Sequence, residues 1–176
     1  MNARSPILAL PATLLVAACS ALGLGGPVTA EAPLAATKGS TVSGTVKFVE
    51  GDAGVLVEAR VTGLAPGKHG FHIHEKGDCS APDATSAGGH FNPTGEPHGS
   101  PERGAHHLGD MPMLIADADG NARLDTILEG VTINGKGEGN IVGRGVIVHA
   151  AADDFLTQPT GNSGARVACG VIALRK

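Results

Sequence analysis

Four of the chain's eight histidines fall in "HFNPTGEPHGSPERGAHHLGD", residues 90–110, a stretch so rich in Gly and Pro that it can form neither a helix nor a strand. Within it, His90, His98, His107 and Asp110 follow one another at intervals of 8, 9 and 3 residues. Imidazole nitrogens plus one carboxylate suit a tetrahedral zinc ion, and four protein ligands would make such a site closed and structural. A bound ion would also order a loop that lacks the apolar side chains to pack itself. The spacing alone fits a flexible, His-rich surface tract that binds metal loosely equally well. Upstream, His72 and His74 in "GFHIH" are two residues apart, so on a strand both face one side and can reach one ion. An H-x-H pair by itself is more often a surface or hydrogen-bonded pair.

The elements that must position these residues read as strands. The chain has 176 residues, 27 Gly and 11 Pro, and no long helical periodicity, which favours one all-β domain. "STVSGTVKFVE" and "VLVEARVTGL" alternate with period two around "GDAG" and predict a hairpin. "GKHGFHIH" predicts a strand. "MLIADADGNARLDTIL" predicts a second hairpin with Asp119 and Gly120 at its turn, and "GRGVIVHA" and "GARVACGVIALR" predict the last two strands. Residues 75–109 show no periodicity, and a loop of that length inside a compact domain is usually functional.

The N-terminus reads as an export signal: Arg4, then the apolar run "ILALPATLLVAA", too short to span a bilayer comfortably. Two cleavage sites compete. "LVAAC", Leu15 to Cys19, has the form of a bacterial lipobox, in which residues 1–18 are removed and Cys19 is lipidated. "VTA", Val28 to Ala30, has the form of an ordinary signal-peptidase site, removing residues 1–30. Lipidation of Cys19 would account for the odd member of three cysteines in an oxidising compartment. Residues 19–38 are then expected to be a flexible tether to a membrane, and residues 39–176 the domain. The formal charge is −4, and removing the leader takes away Arg4 and no acid. That balance, without a lysine run, Trp or Tyr, argues against a nucleic-acid partner.

Five segments in order, "GFHIHEKGDCS", "SAGGHFNP", "HHLGDMP", "GRGVIVHAAADD" and "TGNSGARVACGVI", together resemble the copper/zinc superoxide dismutase family over residues 40–176. "GDCSAPD" and "HHLGDMP" are closer to its bacterial exported branch. The resemblance implies an eight-stranded antiparallel Greek-key β-barrel, related to immunoglobulin-like sandwiches, with a long metal-binding loop. It implies copper at His72, His74, His90 and His149, and zinc at His90, His98, His107 and Asp110, with His90 bridging the two ions. It implies superoxide as substrate, disproportionated to dioxygen and hydrogen peroxide by alternating cupric and cuprous copper, in the periplasm or cell envelope.

By the same resemblance, Arg166 stands beside copper, where its fixed charge and forked donors can hold a small anion. Asp153 links His72 and His98 and fixes their rings. Cys79 and Cys169 form a disulfide, as expected in an oxidising compartment. His69 is expected to be buried and hydrogen-bonded, and His106 to lie at the surface or to sit behind a metal ligand. The segment "FLTQP" after Asp154 departs from the eukaryotic pattern: it is several residues shorter than the family's charged loop and has no Lys or Glu. The net charge is negative, so attraction of an anionic substrate must come from local charge near copper. The alternative in another class is a non-catalytic extracytoplasmic copper/zinc-binding protein on the same fold. The occupied copper positions and Arg166 argue against it.

Overall fold

The computed structural model describes residues 26–175. The expected leader, residues 1–18, and Cys19 lie outside them. Strands β1 (Thr29–Ala36), β2 (Ser43–Gly51), β3 (Gly54–Thr62), β4 (Gly67–His69) and β5 (Phe71–His74) precede the long loop; β6 (Leu114–Ala116), β7 (Ala122–Leu128), β8 (Gly145–His149), β9 (Arg166–Val171) and β10 (Ala173–Leu174) follow it. All the named strand pairs are antiparallel, in the order β4-β6-β7-β3-β2-β1-β9-β8-β5, with β10 beside β1. The two ends of this path, β4 and β5, are joined covalently through Gly70, so the sheet curls into a nearly closed barrel. Neighbours distant in sequence, β3 with β7, β1 with β9 and β5 with β8, give the crossed connections of a Greek key.

Among the described residues, ten strands occupy eight stretches of chain. "GKHGFHIH", expected as one strand, changes partner at Gly70: β4 pairs with β6 and β5 with β8. The last stretch likewise divides at Ile172, with β9 beside β8 and β1, and β10 beside β1.

The tether expected over residues 19–38 is overturned over most of its second half. Residues 29–36 are β1, paired with β2 along Thr29 to Leu34. Its inward residues Ala30, Ala32 and Leu34 are buried, and the small alanines fill the narrow space against Phe48 and Val46. An Ala- and Pro-rich composition reads as flexible because it carries little β signal; here burial and pairing override propensity. Pro33 lies between the β10 pairing at Ala30–Glu31 and the β9 pairing at Ala35–Ala36, a position where a missing N–H is tolerated.

Alternation sets the core. Val55, Val57, Ala59 and Val61 of β3 point inward with Val46 and Phe48 of β2. Strand β5 is buried on both faces. Phe71 and Ile73 enter the barrel core with Val146 and Val148 of β8, while His72 and His74 point outward. What buries the outward face is the long loop, which also covers β5's free edge. Ile73 donates to Gly109 O at 2.8 Å and accepts from Phe91 N at 2.8 Å, and Glu75 and Lys76 donate to Gly89 and Ala87. A strand edge that could recruit another chain is thereby closed. One 3-10 turn, Thr85–Ala87, interrupts the expected irregular stretch. Its Ala84 and Ala87 pack with Ile147 and Cys169 in a satellite cluster beside the Cys79–Cys169 disulfide. Closing a 90-residue separation contributes about 4 to 5 kcal/mol on the chain-entropy account.

Candidate metal centre

Three parts of the chain converge on the outer face of β5 and β8. Period-two alternation puts His72 and His74 side by side, and β8 ends with His149 pointing to the same face. The loop returns along this face through isolated bridges, His74 with His90 and His72 with Asp110. Two groups of possible ligand atoms result, each lying within 4.8 Å of one another: His72, His74, His90 and His149, and His90, His98, His107 and Asp110. All seven residues are buried, and His90 belongs to both groups.

Five of these imidazole nitrogens are sealed from solvent with no hydrogen-bond partner: Nδ1 of His72 and His98, and Nε2 of His74, His90 and His149. In each ring the other nitrogen is engaged. His72 Nε2 and His98 Nε2 face Asp153 Oδ2 and Oδ1 at 2.6 and 2.9 Å. His74 Nδ1 donates to Gly88 O at 2.9 Å and His149 Nδ1 to Gly164 O at 3.3 Å. His90 Nδ1 faces Asp110 Oδ1 at 2.8 Å. A neutral imidazole has one donor and one acceptor nitrogen, so pinning the N–H of His72, His74, His98 and His149 leaves a lone pair on the buried side, whereas both nitrogens of His90 face ligand groups. His98 Nδ1 lies 3.0 Å from Asp110 Oδ2 yet is not aligned to bond it. Atoms that aim at a common third point, and not at each other, show that combination of distance and misalignment. The donor set therefore fits divalent ions: four imidazole nitrogens in one group, and three imidazoles with a carboxylate in the other.

Electrostatics divide the rings. Burial depresses His72, His74, His90 and His149, the last three to about 2, 4 and 3, because an imidazolium loses its hydration there. The charge of Arg166 further lowers His74 and His149. Burial also opposes charge on His98, but contacts with Asp110 and Asp153 outweigh it and raise the ring to about 9. Asp110 and Asp153 are held well below the usual carboxylate range; burial pushes them up, and their histidine partners overcome it.

Arg166, at the start of β9, is half-buried and donates from Nη1 to Ala84 O at 2.6 Å and from Nη2 to Gly88 O at 2.7 Å. Gly88 O is thus shared by Arg166 and His74. Arg166 also lines a hollow of about 320 Å³ together with Lys38, Asp83, Thr85 and Gly164. Asp83 is turned toward Thr85, whose N and Oγ1 bond its Oδ1 at 3.1 and 2.7 Å. His69 is buried between the carbonyls of Ala65 and His149, 2.8 Å from each. His106, partly exposed, bonds Gly104 O and belongs to neither group. Sequence reasoning did not find the carbonyls of Ala84, Gly88 and Gly164, because backbone acceptors leave no mark in residue type. Gly161, with φ +66°, was within reach: a Cβ there would overlap the Asp153 carboxylate and the His98 ring.

The sequence profile of copper/zinc superoxide dismutase matches residues 42–172. The chain belongs to that family. It is 40% identical over 148 residues to a copper–zinc superoxide dismutase of Aquifex aeolicus, covering 81% of this chain and 85% of that one. It is 42% identical over 143 residues to one from Mesembryanthemum crystallinum, covering 77% and 90%. Among solved structures, a double mutant of a superoxide-dismutase-like protein from Bacillus subtilis superposes with a TM-score of 0.73 at 40% identity, covering 81% of this chain and 96% of that one. The barrel, with almost no helix among the described residues, is the fold of this family.

The shifts set a pH profile for the metal-free protein. Below pH 6.5 the unfolded chain protonates histidines that the folded one keeps neutral down to about 4, 3 and 2, so stability falls as pH falls. His98 acts oppositely: its contribution is full below about pH 6.5 and is lost as pH rises through about 9. Thermal unfolding of chelator-stripped protein should therefore peak near pH 6.5, with the steeper decline on the acid side. A melting temperature that rises from pH 6.5 to pH 5 would contradict the arrangement of buried neutral rings.

Proposed function

We propose that His72, His74, His90 and His149 hold copper and that His90, His98, His107 and Asp110 hold zinc, in an enzyme that disproportionates superoxide to dioxygen and hydrogen peroxide. The observation that carries this reading is the double membership of His90: its Nε2 faces the all-imidazole group while its Nδ1 faces Asp110. Copper supplies the one-electron chemistry by alternating between cupric and cuprous states, and zinc, which has none, supplies charge and an anchor for the loop.

The chain's own residues bind the anion and manage the protons. Two of the five N–H donors of Arg166 are spent on Ala84 and Gly88, leaving three for a small anion in the hollow that Arg166 lines. Lys38 lines the same hollow, so the cations on its wall outnumber the single carboxylate of Asp83. The short, uncharged "FLTQP" segment leaves attraction of superoxide to these local groups. When it is not holding copper, His90 Nε2 is the atom at which a proton can be taken up and passed to reduced substrate, because its Nδ1 stays with the second group beside Asp110. Asp153 keeps the Nε2–H of His72 turned away from the substrate side, so that ring presents only a lone pair.

The Cys79–Cys169 disulfide supports an extracytoplasmic protein, and we infer an envelope location with a lipid on Cys19. Cleavage before Cys19 leaves β1 whole, with residues 19–28 ahead of it. Cleavage after Ala30 would remove Thr29 and Ala30, which pair with Val49 and Phe48. Mass spectrometry of the native N-terminus should find lipidated Cys19; a free Glu31 would end this inference.

For the activity, His149→Ala should abolish superoxide removal by metal-loaded protein while zinc content persists; full turnover in that variant would sink the copper assignment. Arg166→Ala should slow turnover about tenfold and flatten its dependence on ionic strength. An unchanged rate would remove Arg166 from substrate binding.

A further inference from the structure

The segment 154–161 closes on itself. Asp154 Oδ1 accepts from Leu156 N and Thr157 N at 2.9 and 2.8 Å, and its Oδ2 accepts from Thr157 Oγ1 at 2.7 Å. Asp154 N donates to Gly161 O, and Gly161 N to Thr157 O. From this braced turn Gln158 reaches back to one residue of the long loop, His98, and makes a reciprocal pair with its backbone. His98 N donates to Gln158 Oε1 at 2.8 Å, and Gln158 Nε2 donates to His98 O at 2.9 Å. A primary amide carries acceptor and donor in one plane, so a single side chain satisfies the backbone N–H and C=O of one residue as a neighbouring strand would.

His98 needs such a partner because it lies between Pro97 and Gly99, outside every strand. Its ring is fixed separately, through Asp153 Oδ1, which also accepts from Phe155 N of the same turn at 2.7 Å. The turn thus holds His98 at two levels, ring and backbone. We propose that Gln158 is a positioning residue for zinc: its amide fixes the backbone from which the His98 imidazole is aimed, so the shortened loop serves metal retention. This rests on the reading of His98 as a zinc ligand. Gln158 is exposed, and its truncation leaves no cavity in the core.

Gln158→Leu keeps the bulk and removes both bonds; Gln158→Glu keeps an acceptor for His98 N and loses the donor. Competition with a chromophoric chelator should show zinc held about tenfold more weakly in Gln158→Leu, with Gln158→Glu between it and the unaltered protein. Copper affinity measured on zinc-free protein should not change. Cobalt(II) placed in the zinc site should show an altered visible spectrum in Gln158→Leu, a signature that general loosening of the loop would not single out. Unchanged zinc affinity and cobalt spectrum would overturn the proposal, as would equal weakening of copper and zinc. If the unaltered protein binds no zinc at all, the ligand assignment itself fails, and the two failures are distinguished by that first titration.

Discussion

Five imidazole nitrogens buried with nothing to bond are the constraint around which this structure is arranged. A buried polar atom left without a partner costs about 1 to 3 kcal/mol, so a protein retains several together only where something else completes them. Every neighbouring feature serves their direction. Asp153 and the carbonyls of Gly88 and Gly164 hold the opposite nitrogens of His72, His98, His74 and His149, Asp110 faces that of His90, and burial keeps most of the rings neutral, the form in which a lone pair is available.

The two groups of ligands are linked twice. His90 joins them directly, and Asp153 joins them from behind by bonding His72 of one group and His98 of the other. The second link exists only because Gly161 has no side chain at the point where the returning backbone crosses the carboxylate. Arg166 adds a third dependence, since it shares Gly88 O with His74, and Ala84, whose carbonyl it also holds, adopts the left-handed region at φ 57°. An alanine in that conformation is disfavoured by about 1 kcal/mol or more, and the guanidinium offsets part of that cost. Arg166 and the His74 ring are therefore set by one peptide group.

Much of this was legible in sequence, for reasons that differ by residue. Strands β2, β3 and β7 announced themselves through alternation that follows their burial, and β8 through a short apolar run that is buried throughout. The convergence of the clustered histidines was legible through their motifs, and that of His72 and His74 also through a period of two. Strand β1 was not, because Ala30, Ala32 and Pro33 carry almost no β-propensity and are held by pairing on both edges. The change of partner at Gly70 was hidden as well, since "GKHGFHIH" alternates as a continuous strand would. Nor could spacing reveal Gln158, which acts on a residue 60 positions away through an exposed amide.

Strand β5 carries a further consequence. Its four residues alternate between the barrel interior, Phe71 and Ile73, and the ion-facing side, His72 and His74. A slip of one position against β8 would exchange these sets, placing imidazoles in an apolar interior and aromatic bulk where ions must sit. Errors of pairing therefore forfeit core packing and metal affinity together. The register of β5 against β8 is thus a single point on which the barrel core and the histidine cluster both depend.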